Sequence, residues 1–123
     1  MDYSAEVRQR FASPHSVGEL QPGPDVISAI AGTVEQGAKY WLYARIRAER
    51  IEELKYRVYG CPHTIAAASL AADQLLGVTL EQMEDWNWRK IASKLDVPAQ
   101  KRGKLLVLED AVRLLAQAWR ARP

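Results

Sequence analysis

Cys61 is the only cysteine in the 123-residue chain, in the stretch VYGCPHTIAAASL. Gly60 ends an alternating run, and Pro62 suits the first position of a helix. The spacing therefore puts Cys61 at or beside a helix N-cap. A thiol there meets unpaired backbone N–H groups and the positive end of the helix dipole, which favour its thiolate. The thiolate is the form that attacks sulfur or binds metal. His63 and Thr64 add a base or ligand and a donor within one turn. The same spacing serves a second reading. Unpaired cysteine packs as a small hydrophobe, and Cys61 lies four residues before Ile65, in line with an apolar stripe. The residues alone leave inert packing and reactive thiolate both open.

The remaining chemistry-bearing residues are fewer. One cysteine excludes a disulfide framework and a cysteine-only metal site. His63 either joins a metal site or, as a helix-start histidine, hydrogen-bonds locally or points to solvent. His15 reads as a polar loop residue. Lys101, Arg102 and Lys104 precede the last helix and oppose its dipole; they are a solvated face or meet an acidic partner. The formal net charge of +2 argues against nucleic acid as partner. No apolar run approaches the roughly 20 residues that span a bilayer, and the start MDYSAEVRQRF lacks a secretory apolar stretch. The expectation is a cytoplasmic protein that binds no membrane.

These residues need elements to position them. With 48% hydrophobic residues, the chain has enough for one core, and its length predicts a single domain over residues 1–123. Ser4 caps a first helix with Tyr3, Val7 and Phe11 on one face. Residues 12–24 form a loop rich in Pro, Gly and Ser. Three strands follow, over 25–34, 39–47 and 51–59. In the second, Tyr40, Leu42, Ala44 and Ile46 alternate with Lys39, Trp41, Tyr43, Arg45 and Arg47. In the third, Leu54, Tyr56 and Val58 oppose Lys55, Arg57 and Tyr59. The short connection Ala48–Arg50 makes these two an antiparallel hairpin.

The rest is helical. Residues 62–76 put Ile65, Ala68, Ala72 and Leu75 at helical spacing, ended by Gly77. Thr79 with Gln82 is a capping box for a helix through Asp85. Asn87 caps another, with Trp88, Ile91 and Leu95 facing inward, and Pro98 breaks the chain. Residues 104–120 carry the stripe Leu105, Leu108, Val112, Leu115 and Trp119. Trp86, Trp88 and Trp119 read as packing residues. Trp41 and Tyr43 make an exposed aromatic patch if no helix covers their side of the sheet. The fold class is α+β: a three-stranded antiparallel sheet with helices packed on one face.

In order and spacing, these pieces resemble the NifU-like (IscU-type) iron–sulfur cluster scaffold family over nearly the whole chain. YSAEVRQRFASPHSVGEL is similar to the family's opening helix and loop. VYGCPHTIAAASLAADQLLG is similar to its Tyr-Gly-Cys stretch and the Ala/Ser-rich helix after it. LEDAVRLLAQAW resembles its last helix. The resemblance implies a scaffold, not an enzyme, on which a cysteine desulfurase and an iron source build a cluster. Three cysteines hold the cluster, with a nearby Asp or His assisting. By the same resemblance the first ligand falls at Gln36 and the assisting Asp at Ala38, in Gln36-Gly37-Ala38. The second ligand is Cys61. The last, after a His, falls at Gly103-Lys104. One of three cysteines survives.

This set implies a divergent scaffold. Cys61 either accepts a persulfide sulfur or, with His63 and a second copy in a homodimer, binds a cluster, iron or zinc. The alternative is a homologue that binds no cofactor and acts on a desulfurase or a true scaffold as an interaction partner. A cysteine-nucleophile enzyme is the third reading, and no acid is seen to orient His63 as its base. Val97-Pro98-Ala99-Gln100-Lys101 occupies the place of the family's chaperone-recognition loop, although helix-breaking by Pro98 explains it without a partner.

Overall fold

The computed structural model describes residues 3–122. Its order is helix α1 (Ala5–Ala12), strands β1 (Val26–Thr33), β2 (Ala38–Arg47) and β3 (Arg50–Gly60), then helices α2 (Pro62–Leu75), α3 (Leu80–Asp85), α4 (Arg89–Leu95) and α5 (Arg102–Arg120), the last preceded by one 3₁₀ turn, Ala99–Lys101. The sheet is antiparallel in the order β1-β2-β3. Strict alternation in β2 sends Tyr40, Leu42, Ala44 and Ile46 into the core, as an antiparallel strand covered on one side requires. α5 packs over β1 and β2, and α2 over β3. The inward stripe of α5 is fully buried, from Leu105 through Leu108, Val112 and Leu115 to Trp119.

The β2–β3 hairpin turns through Ala48 and Glu49, both left-handed (φ 52° and 61°), the conformation a two-residue loop needs to match strand twist. Arg45 pairs with Glu53 but Ile46 with Ile51. One extra residue, Glu52, therefore bulges from β3 and keeps Ile51 buried. Simple alternation along 51–59 does not show this. At the other edge of β3, Tyr56 N–H donates to Ser16 O at 3.1 Å and Gly18 N–H to Tyr56 O at 2.9 Å. The 12–24 loop thus closes that edge.

Three expectations change. Residues 66–72 of α2 are all buried, whereas Ile65 is only partly so. The run of alanines lets β3, α1, α4 and α5 all approach, so the expected single stripe is a nearly enclosed helix. Phe11 is 48% exposed. The last turn of α1 meets α2 instead through Arg10, whose guanidinium reaches Asp73 Oδ2 at 2.8 Å and Ser69 Oγ at 3.1 Å. Third, Trp41 lies under Lys39 Nζ (4.8 Å) and Arg57 (5.7 Å), and the Tyr43 hydroxyl donates to Glu19 at 3.3 Å. Both residues are partly buried, with cations over the Trp41 ring and a carboxylate at the Tyr43 hydroxyl, so the expected open aromatic patch is broken up.

The caps read from the sequence form. Ser4 Oγ accepts from Val7 N–H at 3.2 Å and donates to Leu95 O at 2.8 Å, tying α1 to α4. Thr79 and Gln82 make a reciprocal capping box. Asn87 Oδ1 accepts from Arg89 N–H at 3.0 Å, although the cap position of α4 itself falls one residue later than expected, at Trp88.

Candidate functional site

Cys61 is the N-cap of α2, with Pro62 at the first helical position. Its carbonyl accepts from Thr64 N–H at 2.9 Å, and the Thr64 hydroxyl donates to the same carbonyl. Gly60 permits this tight entry. A Cβ there would lie 2.2 Å from Thr64 Oγ1, closer than any packed core tolerates. The thiol is neither sealed nor fully exposed.

Lys104, 43 residues further along, donates its ammonium to Cys61 Sγ at 3.6 Å. The first turn of α5 is held there by Tyr40, whose buried hydroxyl donates to Lys104 O at 3.1 Å. Burial pushes the Cys61 pKa up, but the N–H groups of Thr64 and His63 and the ammoniums of Lys104 and Lys101 outweigh it and hold the thiol below its ordinary value. The phenol of Tyr40 is pushed far upward by burial and then by the nearby Cys61, and stays a neutral donor.

The other sequence-predicted positions divide into those around this sulfur and those aside from it. Gln36 and Gly37 form the β1–β2 turn, closed by Gly37 N–H to Val34 O at 3.0 Å. A Cβ at Gly37 would stand 3.5 Å from Lys104 Nζ, so the turn abuts the lysine. Gln36, Gln100, Gly103, Lys104 and Val107 line one cavity of about 350 Å³. Ala38 is buried in β2 and pairs with Gly60, one residue from Cys61. Val97 is buried, Pro98 and Lys101 partly so, and Ala99 and Gln100 are exposed.

His63 departs from its expectation. It is neither solvent-facing nor locally bonded: only 2% of it is exposed and its Nδ1 is buried without a hydrogen-bond partner. Its ring packs 4.8 Å from that of Tyr3. Burial, then the charges of Lys101 and Lys104, keep the imidazole neutral by lowering its pKa. His15 sits elsewhere, its Nδ1 3.0 Å from Asp73 Oδ2.

No local pattern joins residues 61 and 104, and only the family resemblance, which sets Gly103-Lys104 at the last ligand position, brings Lys104 to the sulfur. The lysine's direct contact with Sγ is what the residues alone did not show.

This donor set is unsuited to a cluster held by one chain. Iron–sulfur clusters take four thiolate-class ligands, sometimes with His in place of Cys. The side chain in contact with the sulfur is an ammonium, which has no lone pair to give, and the carboxamides of Gln36 and Gln100 line the cavity on the far side of that lysine. Among the described residues no group of three or more His, Cys, Asp or Glu side chains is placed to hold a metal ion.

The chain as a whole is similar to known proteins. The iron–sulfur cluster assembly scaffold protein IscU of Azotobacter vinelandii is 31% identical over 122 residues, covering 98% of this chain and 95% of its own. A second IscU scaffold, from Archaeoglobus fulgidus, is 29% identical over 112 residues, 90% of this chain and 72% of its own. Two solved structures share the fold. A protein described as a cluster assembly scaffold for the SUF system of Fervidobacterium islandicum superposes with a TM-score of 0.76, at 15% identity, covering 93% of this chain and 96% of that one. A NifU-like N-terminal protein of Brucella abortus gives 0.74, at 14% identity, covering 98% and 95%. The family model for the NifU-like N-terminal domain matches residues 2–123, and the chain belongs to that family.

Proposed function

We propose that this chain works in iron–sulfur cluster assembly as a scaffold-family protein whose Cys61 accepts sulfur from the persulfide of a cysteine desulfurase. The observation that carries the reading is the 3.6 Å contact between Lys104 Nζ and Cys61 Sγ at the start of α2. It supports a thiol held ready as its nucleophilic form and partly open to a donor. Names of relatives that are cluster assembly scaffolds support the pathway.

The step is a thiol–persulfide exchange. The Cys61 thiolate attacks the outer sulfur of the donor persulfide and forms a new S–S bond. The donor's S–S bond breaks, and its electron pair leaves with the donor thiolate. Cys61 becomes a persulfide, and no outside oxidant or reductant enters. Lys104 offsets the negative charge on Cys61 before the step and on the terminal sulfur after it. The buried Tyr40 hydroxyl keeps the backbone of Lys104 in place. The iron–sulfur cluster is cargo here, and its completion falls to ligands outside this site.

The test incubates the protein with a cysteine desulfurase and cysteine, then reads intact mass. Gain of one sulfur atom in the wild type, absent in Cys61→Ser, is the expected result. No Cys61-dependent gain overturns the reading.

A further inference from the structure

We propose that the Cys61–Lys104 pair, with the cavity that Lys104 lines, is selective for anionic sulfur donors and against metal cations, and that Lys104 sets this selectivity. The inference rests on Cys61 as a sulfur acceptor and names its substrate class: a persulfide or polysulfide with a negatively charged terminal sulfur.

The cavity holds positive charge and donors. Its lining of Gln36, Gln100, Gly103, Lys104 and Val107 includes no carboxylate. Lys101 adds a second positive charge that acts on Cys61. Among the described residues neither lysine is in an ion pair. The Thr33 hydroxyl occupies Gln36 Oε1 at 3.2 Å, which leaves the Gln36 NH₂ group to donate. A cation approaching Sγ meets an ammonium 3.6 Å from its only thiolate ligand. An anion approaching the same atom is attracted by that ammonium. Opposite signs of one Coulomb interaction therefore separate the two classes of visitor.

The chemistry needs no further reagent. With a small donor, Cys61–S⁻ + R–S–S⁻ → Cys61–S–S⁻ + R–S⁻. The attacking electron pair comes from Cys61, the broken S–S pair leaves on R–S⁻, and no proton changes hands. Both reactants are anions, so their mutual repulsion is the barrier a nearby cation lowers.

The experiment measures second-order rates of Cys61 in the full chain with two disulfides, dianionic dithiobis(nitrobenzoate) and neutral dithiodipyridine. Thiolate fraction enters both rates equally, so their ratio isolates the charge effect. Lys104→Met is expected to lower the anionic-to-neutral ratio by at least about threefold, from one unit charge at contact range in a water-like dielectric. Lys104→Glu lowers it further, Lys104→Arg keeps it, and added salt shrinks the difference. Sodium disulfide, read by gain of one sulfur atom in intact mass, follows the same order. A ratio that Lys104→Met leaves unchanged overturns the proposal. So does stoichiometric zinc binding by the wild type that Cys61→Ser removes.

Failure of the two readings separates cleanly. Desulfurase transfer with a Lys104-independent ratio removes only this inference. A Lys104-dependent ratio without desulfurase transfer removes the donor named above and leaves the anion site.

Discussion

Gly60→Ala tests whether Cys61 is held by close packing at the entry to α2. The new Cβ falls 2.2 Å from Thr64 Oγ1, 2.9 Å from Thr64 Cβ and 3.0 Å from Cγ2. Thr64 is fully buried and its hydroxyl is engaged by the Cys61 carbonyl, so the side chain cannot swing into water. The first turn of α2 has to move. Overpacking of this kind costs about 2 kcal/mol, which in a domain of this size lowers the melting temperature by about 6–12 °C. The displaced turn carries Cys61 away from Lys104, so labelling by a neutral thiol reagent at neutral pH slows as well. Thermal melts and labelling rates measure the two effects. Thr64→Ala removes the Oγ1 and Cγ2 contacts but leaves the Cβ one. On that background Gly60→Ala is expected to cost about 1 kcal/mol less, a coupling that a double-mutant cycle reads directly. A Gly60→Ala protein that melts with the wild type refutes the close approach, and with it the account of how Cys61 is positioned.

Acid should destabilise the fold in two stages. The folded pKa of His63 lies below its ordinary 6.5 because of burial and then Lys101 and Lys104. Between its folded pKa and 6.5 the unfolded chain binds more protons, so stability falls as pH drops below 6.5. For Asp73, burial raises the pKa, but hydrogen bonds from Arg10 and His15 hold it below the ordinary 3.8. The stability it contributes is complete above 3.8 and is lost as pH falls through its folded pKa. Asp73→Asn is expected to flatten only this lower limb in denaturant titrations at stepped pH, and an unchanged limb counts against the Arg10–Asp73–His15 cluster. Leu108→Ala, at a fully buried position of α5, should cost about 3–5 kcal/mol by chemical denaturation. A loss below about 1 kcal/mol contradicts the packing of α5 on the sheet.

Local pattern carried most of the fold. The 2-residue period of 39–47 and the helical stripe of 105–119 each report one buried face, and those faces are where the sheet and α5 meet. Caps at Ser4 and Thr79 were equally legible because their partners lie within three residues. What was hidden depends on distant neighbours. The Glu52 bulge appears only when β3 is paired with β2. The burial of α2 on nearly all sides follows from four elements converging on alanines, which look the same in sequence whether they face a core or water. Pro98 marked a break, but the 3₁₀ turn that follows runs directly into α5 and brings its start forward to Arg102. At the site, the position of Cys61 at a helix start was readable from Gly60 and Pro62. The charge that faces it was readable only through the family resemblance, because a lysine 43 residues away carries no local mark of its partner.

The convergence around Cys61 is a property of the backbone, and the chemistry there is a property of a few side chains. Ala38 pairs with Gly60 across the sheet, which brings the β1–β2 turn to the strand end that delivers Cys61. Tyr40 hydrogen-bonds the carbonyl of residue 104, a group every amino acid supplies. Neither contact depends on what stands at 36, 38 or 104. The fold therefore keeps 104 beside the sulfur, 38 beside the strand end that delivers it and the turn at 36–37 against residue 104, whichever side chains they bear. Thiolates and a carboxylate there would gather cations around the sulfur. An ammonium instead stabilises an anion on it. A change of sign at Lys104 therefore changes the charge in contact with the sulfur while leaving the core intact.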